Sequence, residues 1–166
     1  MWGEVAGRSP VNRGKQGLKR SVVVDGTGVP LGIVAAGANC HDSPLLAPTL
    51  DPLARWQDVP DATTIHLDAG YDSAKTRTLL AEQGYAGVIA RKGVPAPIQV
   101  GQRWVVERMR AWMNGFGKLR RCTEKARRVV EGYLFLAATM VIIRCLIRRA
   151  RSRYRWNGRP TTRRLP

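Results

Sequence analysis

Two short runs of mainly β-branched and small apolar residues, at 21–24 and 31–36, are separated by the sequence DGTG at 25–28. Aspartate and glycine between two such runs are typical of a β-hairpin. Glycine favours the turn because it adopts positive φ angles without steric cost. We therefore predict an antiparallel hairpin, which commits this part of the chain to a β-sheet.

Helical and strand patterns alternate after the hairpin. Asp42 or Ser43 is expected to cap a helix that Pro44 enters at its first turn and that ends by Pro60. Its apolar side is predicted to consist of Leu45, Leu46, Leu50, Leu53 and Trp56. A strand at 63–67, a helix capped by Ser73, and a strand at 85–90 follow.

The remaining segments complete the predicted order of elements. Residues 1–17 are rich in glycine and lack a period, so we expect a loop there. A loop at 92–102 precedes two helices, at about 104–120 and 125–154. This order predicts an α/β fold with a mixed sheet and flanking helices.

The chain is strongly basic. Its 166 residues contain 28 Lys and Arg against 12 Asp and Glu, which gives a formal net charge of +16. Such a balance favours binding to a polyanion, DNA or RNA, over binding to a membrane surface, although a solvated basic face is the alternative. The apolar segment 133–147 is shorter than the roughly 20 residues of a membrane span, so we predict a buried helix and no membrane partner.

The three cysteines are far apart and lie outside any metal-binding spacing, which favours neither disulfides nor a zinc site. No signal-peptide pattern is present in residues 1–20. A cytoplasmic location, associated with the nucleoid, is the resulting expectation.

Arginines gather near the end of the chain, and those that we expect to contact DNA are Arg148, Arg149, Arg151 and Arg153. A solvated tail is the alternative.

Two carboxylates in this basic chain are candidate metal ligands. Asp68 follows a predicted strand and precedes Gly70, and catalytic groups in α/β sheets gather at the carboxyl ends of strands. The alternative is that Asp68 only caps a turn. Glu107 is expected in the first turn of a helix, where the helix dipole favours a carboxylate without any function. Arg103 and Arg108 flank Glu107 and could orient it or contact phosphate.

Several segments, in one order along the chain, resemble a single family. They are NRGKQGLKRS at 12–21, VDGTGVPLG at 24–32, AGANCHDS at 36–43, HLDAGYDS at 66–73 and RWVVER at 103–108, followed by Trp112 and Asn114. Each piece alone has little specificity, but their order and spacing together are specific. The chain resembles the C-terminal catalytic part of bacterial insertion-sequence DDE transposases, in the IS-five-like group of the IS-four class.

The resemblance implies an RNase H-like fold in which three acidic residues bind two divalent metal ions, Mg²⁺ or Mn²⁺. Asp68 then matches the second acid, Glu107 the third, and Arg103 the arginine four residues before the third acid. Asn114 departs from the family, which has a lysine at that position. The resemblance also implies DNA partners, namely transposon ends and target, and either intact transposase or a homo-oligomer.

The strand that carries the first acid in relatives would precede the segment that matches residues 3–19. We therefore expect an N-terminally truncated catalytic domain at 1–122, followed by a C-terminal helix and Arg-rich tail at 123–166. Asp25 is expected at the opposite edge of the sheet from Asp68, and Asp42 is expected to cap a helix. The chain is then either a partial DDE transposase, inactive or dependent on frameshift fusion, or a catalytically dead module that binds DNA or transposase.

Overall fold

The computed structural model describes residues 5–10, 13–56, 59–60, 62–91, 93–94, 103–122 and 124–154, without the side chains of Arg103 and Trp104. Its elements form two small sheets and five helices within these ranges. The α/β prediction is confirmed. Most of the predicted loop at 92–102 lies outside the described residues.

The first sheet is antiparallel and has the order β1-β2-β3, formed by Gly7–Arg8, Gln16–Val24 and Pro30–Gly37. The predicted hairpin is confirmed, since β2 pairs with β3 over 18–24. Gly28 has a φ of 91° in the connecting turn, which only glycine adopts readily. The prediction of a loop over 1–17 was wrong for β1 and the start of β2, because pairing between strands, absent from the local pattern, extends the sheet there.

Helix α1 (Ser43–Ala54) packs on this sheet. Leu46, Leu50 and Leu53 are buried as predicted, whereas Trp56 lies beyond the end of the helix and is 51% exposed, so its predicted packing was wrong. Asp42 occupies the N-cap position, but its side chain makes no capping hydrogen bond. It forms an ion pair with Lys19 at 3.1 Å instead.

The second sheet consists of two parallel strands, β4 (Thr64–Leu67) and β5 (Ala86–Ile89). Helix α2 (Ala74–Glu82) connects them, and the predicted cap is confirmed because the Ser73 hydroxyl accepts the N–H of Thr76 at 3.2 Å. Buried leucines of α1 and α2 pack with Ile65 and Leu67 in one apolar cluster. That cluster holds the second sheet against α1.

Three helices complete the fold: α3 (Arg103–Asn114), α4 (Gly117–Arg120) and α5 (Arg127–Arg153). The predicted single helix over 104–120 is interrupted at Gly115, where glycine lowers helix stability. Met109 and Met113 of α3 pack against Val130, Leu134 and other buried residues of α5, and this cluster extends to the first sheet.

The prediction of a buried helix at 133–147 holds for one side of α5 only. Buried residues recur along that side, whereas Phe135 is 59% and Leu136 is 54% exposed on the other. By length and composition, α5 is the one described helix that could cross a membrane, with a mean hydropathy of 1.9 over its most apolar window. Core helices of soluble proteins share these properties. The predicted domain boundary at 122/123 stays a prediction.

Candidate active-site groove

Asp68 lies immediately after β4, and its exposed carboxylate accepts the N–H of Ala69 at 2.7 Å. It therefore does cap a turn, the single 3₁₀ turn Ala69–Tyr71. One carboxylate oxygen takes part in this bond, and a carboxylate has further lone pairs for a second partner. Capping and metal binding are thus compatible roles.

Glu107 lies in the second turn of α3 and is exposed. The prediction of a first-turn position was wrong because α3 already begins at Arg103, so the helix dipole does not account for this carboxylate. Glu107 does make an interaction within the protein. The side chain of Arg103, the predicted DNA contact four residues earlier, lies outside the described part of the chain.

Asp68 and Glu107 line the same groove, which has a volume of about 790 Å³. The groove runs along residues 20–24 of β2 and the adjoining turn residues 25–26 on one side, and along residues 63–68 around β4 on the other, with leucines of α1 also lining it. Only Leu31 represents β3, and β5 contributes no residue. The groove therefore follows the edge of β2 away from β3 and the edge of β4 away from β5.

Both of these strand edges lack a partner over most of their length in the part of the chain that the structure describes. β2 pairs with β3 on one side and with β1 only at Gln16 and Gly17, while β4 pairs with β5 alone. An unpaired edge presents backbone N–H and C=O groups that are able to bind another strand.

Asp42 shares one end of the groove with Asp68 and Tyr71. Burial raises the pKa of Tyr71, and the negative charges of Asp42 and Asp68 raise it further, whereas Arg110 lowers it. These four side chains are thus near enough to interact electrostatically. Even so, the described residues contain no group of three His, Cys, Asp or Glu side chains placed to hold a metal ion.

Asp25 stands in the turn between β2 and β3. Its carboxylate accepts the N–H groups of Thr27 and Val29, both at 2.9 Å, and pairs with Arg149 at 2.9 Å. Partial burial alone would raise the pKa of Asp25, but the hydrogen bonds from Thr27, Val29 and Arg149 outweigh it and lower the pKa. The oxygens of Asp25 thus serve the turn and α5. Asp25 and Asp68 both line the groove, and the expectation that they lie at opposite edges of the sheet stays a prediction.

The predicted DNA-binding arginines fall into different environments. Arg148 lies 5.2 Å from the centre of the Trp112 ring and Arg108 lies 5.9 Å from it. Arg148 and Arg151 line a shallow pocket of about 340 Å³ with Trp112, Arg144 and Ile147. Trp112 therefore gathers guanidinium groups from α3 and α5 on one surface.

Two other predicted arginines lie outside this cluster. Arg149 pairs with Asp25, and Arg153 is exposed in the last turn of α5. The arginines at 155–164 lie outside the described residues.

Sequence reasoning missed two groove residues, Arg20 and Arg110. Arg110 follows Glu107 by three positions on α3, so helical spacing places both on one face and could have indicated it. Nothing local marks Arg20, which reaches α3 only through tertiary packing and donates to Asn114 Oδ1 at 2.5 Å.

Comparison with known proteins identifies the family. A family model described as the transposase DDE domain matches residues 3–94, which include Asp68 but not Glu107. A protein named as the transposase for insertion sequence element IS402 of Burkholderia cepacia is 31% identical over 147 residues, covering 84% of this chain and 70% of that relative. No solved structure matches. The chain therefore belongs to the family of insertion-sequence DDE transposases.

Proposed function

We propose that this chain acts in DNA transposition, in which a DDE transposase cleaves DNA strands and joins them to a target. The observation that carries the proposal is that Asp68 and Glu107, from separate elements, line one groove in a strongly basic protein. Carboxylates held on rigid elements are the ligands that hard divalent cations prefer. Asp68 and Glu107 are accordingly proposed as catalytic residues.

The metal proposed for this groove is Mg²⁺ or Mn²⁺. Asp68 and Glu107 would supply two carboxylate ligands, and a third carboxylate would complete the set that the family uses. When bound, such an ion activates an attacking oxygen and stabilises the charge that develops on phosphate. Within the described residues the donor set is incomplete, so we assign no reaction step to this chain alone.

The unpaired edges of β2 and β4 indicate where an additional strand, carrying the third carboxylate, could pair with the protein. A single strand inserted between them would join the two sheets into one, as the proposed RNase H-like fold requires. We propose that this strand carries the first acid and comes from polypeptide outside these 166 residues, by frameshift fusion or from an intact transposase. The leucines of α1 provide an apolar surface for one face of the strand.

DNA is the proposed partner, since the net charge of +16 favours association with a polyanion. The proposed contacts are Arg103, Arg108, Arg148, Arg149, Arg151 and Arg153. The cluster around Trp112 supports Arg108 and Arg148 in particular, because the ring holds their guanidinium groups together. A cytoplasmic, nucleoid-associated location and a homo-oligomeric assembly belong to the same proposal.

The second candidate is a catalytically dead module that binds DNA or intact transposase. One observation favours it: the described residues contain no group of three His, Cys, Asp or Glu side chains placed to hold a metal ion. The unpaired strand edges suit it equally, because they could accept a strand from a complete transposase.

The test compares the chain alone with the chain joined in frame to an added N-terminal strand that carries an aspartate. We expect the chain alone to bind DNA without Mg²⁺-dependent nicking, and the fused chain to nick DNA. Asp68→Asn and Glu107→Gln should each abolish that nicking. Asp72→Asn is the matched control, because Asp72 lies on the surface in an ion pair with Arg77.

Two results would decide against parts of this proposal. Robust nicking by the chain alone, lost in Asp68→Asn, would show that the described groove needs no further strand. A folded fusion protein that binds DNA but never nicks it would favour the binding module.

A further inference from the structure

Two arginines, Arg20 on β2 and Arg110 on α3, line the same groove, and Arg20 donates to Asn114, which lies one helical turn beyond Arg110. Burial lowers the pKa of Arg20, and the positive charge of Arg110 lowers it further. No ion pair joins either arginine to a carboxylate of the described residues. Two like charges held close together repel each other, and an anion bound between them would offset that repulsion.

Arg20 has an unused donor. One terminal nitrogen of its guanidinium group donates to Asn114 Oδ1 at 2.5 Å, whereas the other, Nη1, is buried and has no acceptor. Buried donors are satisfied in the great majority of cases, and each exception destabilises the folded protein. Because Nη1 is buried, an acceptor reaches it only when the Arg20 side chain turns towards the groove.

The position of the pair points to the kind of acceptor. Arg110 lies one helical turn beyond Glu107, and both residues line the groove with Asp68. A phosphodiester offers several acceptor oxygens and one negative charge, which match the planar donors of a guanidinium group. A carboxylate within the protein would also match, but no described carboxylate pairs with either arginine.

We propose that Arg20 and Arg110 together bind a phosphodiester group of DNA beside the carboxylates Asp68 and Glu107. This inference rests on the proposed function, because it assumes that DNA enters the groove. It adds a second phosphate-binding site to the Trp112 cluster. Arg108 and Arg110 are two positions apart and lie on nearly opposite sides of α3, so the two sites are separate contacts with DNA.

The experiment measures the affinity of the full chain for a short DNA duplex by fluorescence anisotropy, in EDTA and over a range of salt concentrations. Each phosphate contact contributes about 0.9 to the slope of log K against log salt. The contribution of one contact vanishes at about 1 M salt and grows as salt is diluted. At about 0.1 M salt, loss of one contact therefore lowers the affinity for DNA about eightfold. Because both arginines bind one phosphodiester group, we expect at most this loss, and a slope shallower by at most about 0.9, for Arg20→Gln and for Arg110→Gln.

Arg128→Gln is the matched control, because Arg128 is exposed on α5, carries the same charge and does not line the groove. It should keep nearly the wild-type affinity and slope. Equal losses in all three variants would overturn the proposal by showing a general charge effect. Wild-type binding by Arg110→Gln would also overturn it.

Two features keep the test decisive. Arg110 is exposed, so Arg110→Gln should fold even if Arg20→Gln does not, as circular dichroism would reveal. The assay contains no metal and scores no cleavage. Its failure is therefore distinct from a failure of the catalytic proposal, which the nicking experiment addresses.

Discussion

Replacement of Gly32 by alanine should destabilise the protein by displacing α1 from the first sheet. A Cβ atom at Gly32 in β3 would lie 2.4 Å from the carbonyl oxygen of Thr49 in α1. It would also lie 3.1 Å from Cγ1 of Val23 and 3.3 Å from Cγ of Pro52. The closest neighbour is backbone of a helix, which cannot rotate away as a side chain could.

The magnitude follows from the displacement required. Relief of the clash requires α1 to move until the contact exceeds 3.0 Å. Overpacking of this kind costs about 1–3 kcal/mol. The hydrogen bond of 2.7 Å between the buried hydroxyls of Thr49 and Ser21 would also be strained. For a chain of this size, a loss of about 2 kcal/mol lowers Tm by roughly 4–8 °C.

Thermal and urea unfolding of Gly32→Ala and wild type provide the assay. Gly26→Ala is the matched control, because a Cβ atom at Gly26 meets nothing within 4 Å and the residue does not have a positive φ. The free energy of unfolding of Gly26→Ala should change by less than about 1 kcal/mol. A small stabilisation is expected, because alanine lowers the conformational entropy of the unfolded chain. Equal stability of the two variants would refute the close packing of α1 on β3.

Three further predictions concern single side chains. Trp112→Ala should remove the cation–π contacts of Arg108 and Arg148, each worth roughly 0.5–1 kcal/mol. It should therefore weaken duplex binding in anisotropy measurements, whereas Trp112→Phe should keep part of the binding. Burial would raise the pKa of Asp25, but its hydrogen bonds lower the pKa overall. The ionised carboxylate therefore stabilises the folded protein at neutral pH, and this stabilisation is lost as the pH falls below about 4. Asp25→Asn should accordingly flatten the acid side of the stability profile; an unchanged profile would contradict this. Ser73→Ala removes the cap of α2 and should cost about 1 kcal/mol in urea unfolding, whereas no loss would contradict the cap.

Local signals predicted most of the elements correctly. The hairpin turn at 25–28 and the Ser73 cap depend on neighbouring residues alone, and both are present. Glycine at 115 likewise has a local effect, although its strength was underestimated when one helix was predicted over 104–120. Strand β1 and the exposed position of Trp56 were missed because each depends on contacts, or their absence, with distant parts of the chain.

The sequence by itself determined the family, the basic character and the two candidate carboxylates, because motif order, charge and residue type are properties of the chain. Only the tertiary structure decided that Asp68 and Glu107 share one groove and that this groove follows two unpaired strand edges. It also decided that Arg20 contacts Asn114 and lines the groove with Arg110. Residues distant in sequence are brought together by the burial of two apolar clusters, and no local pattern records which of them then become neighbours.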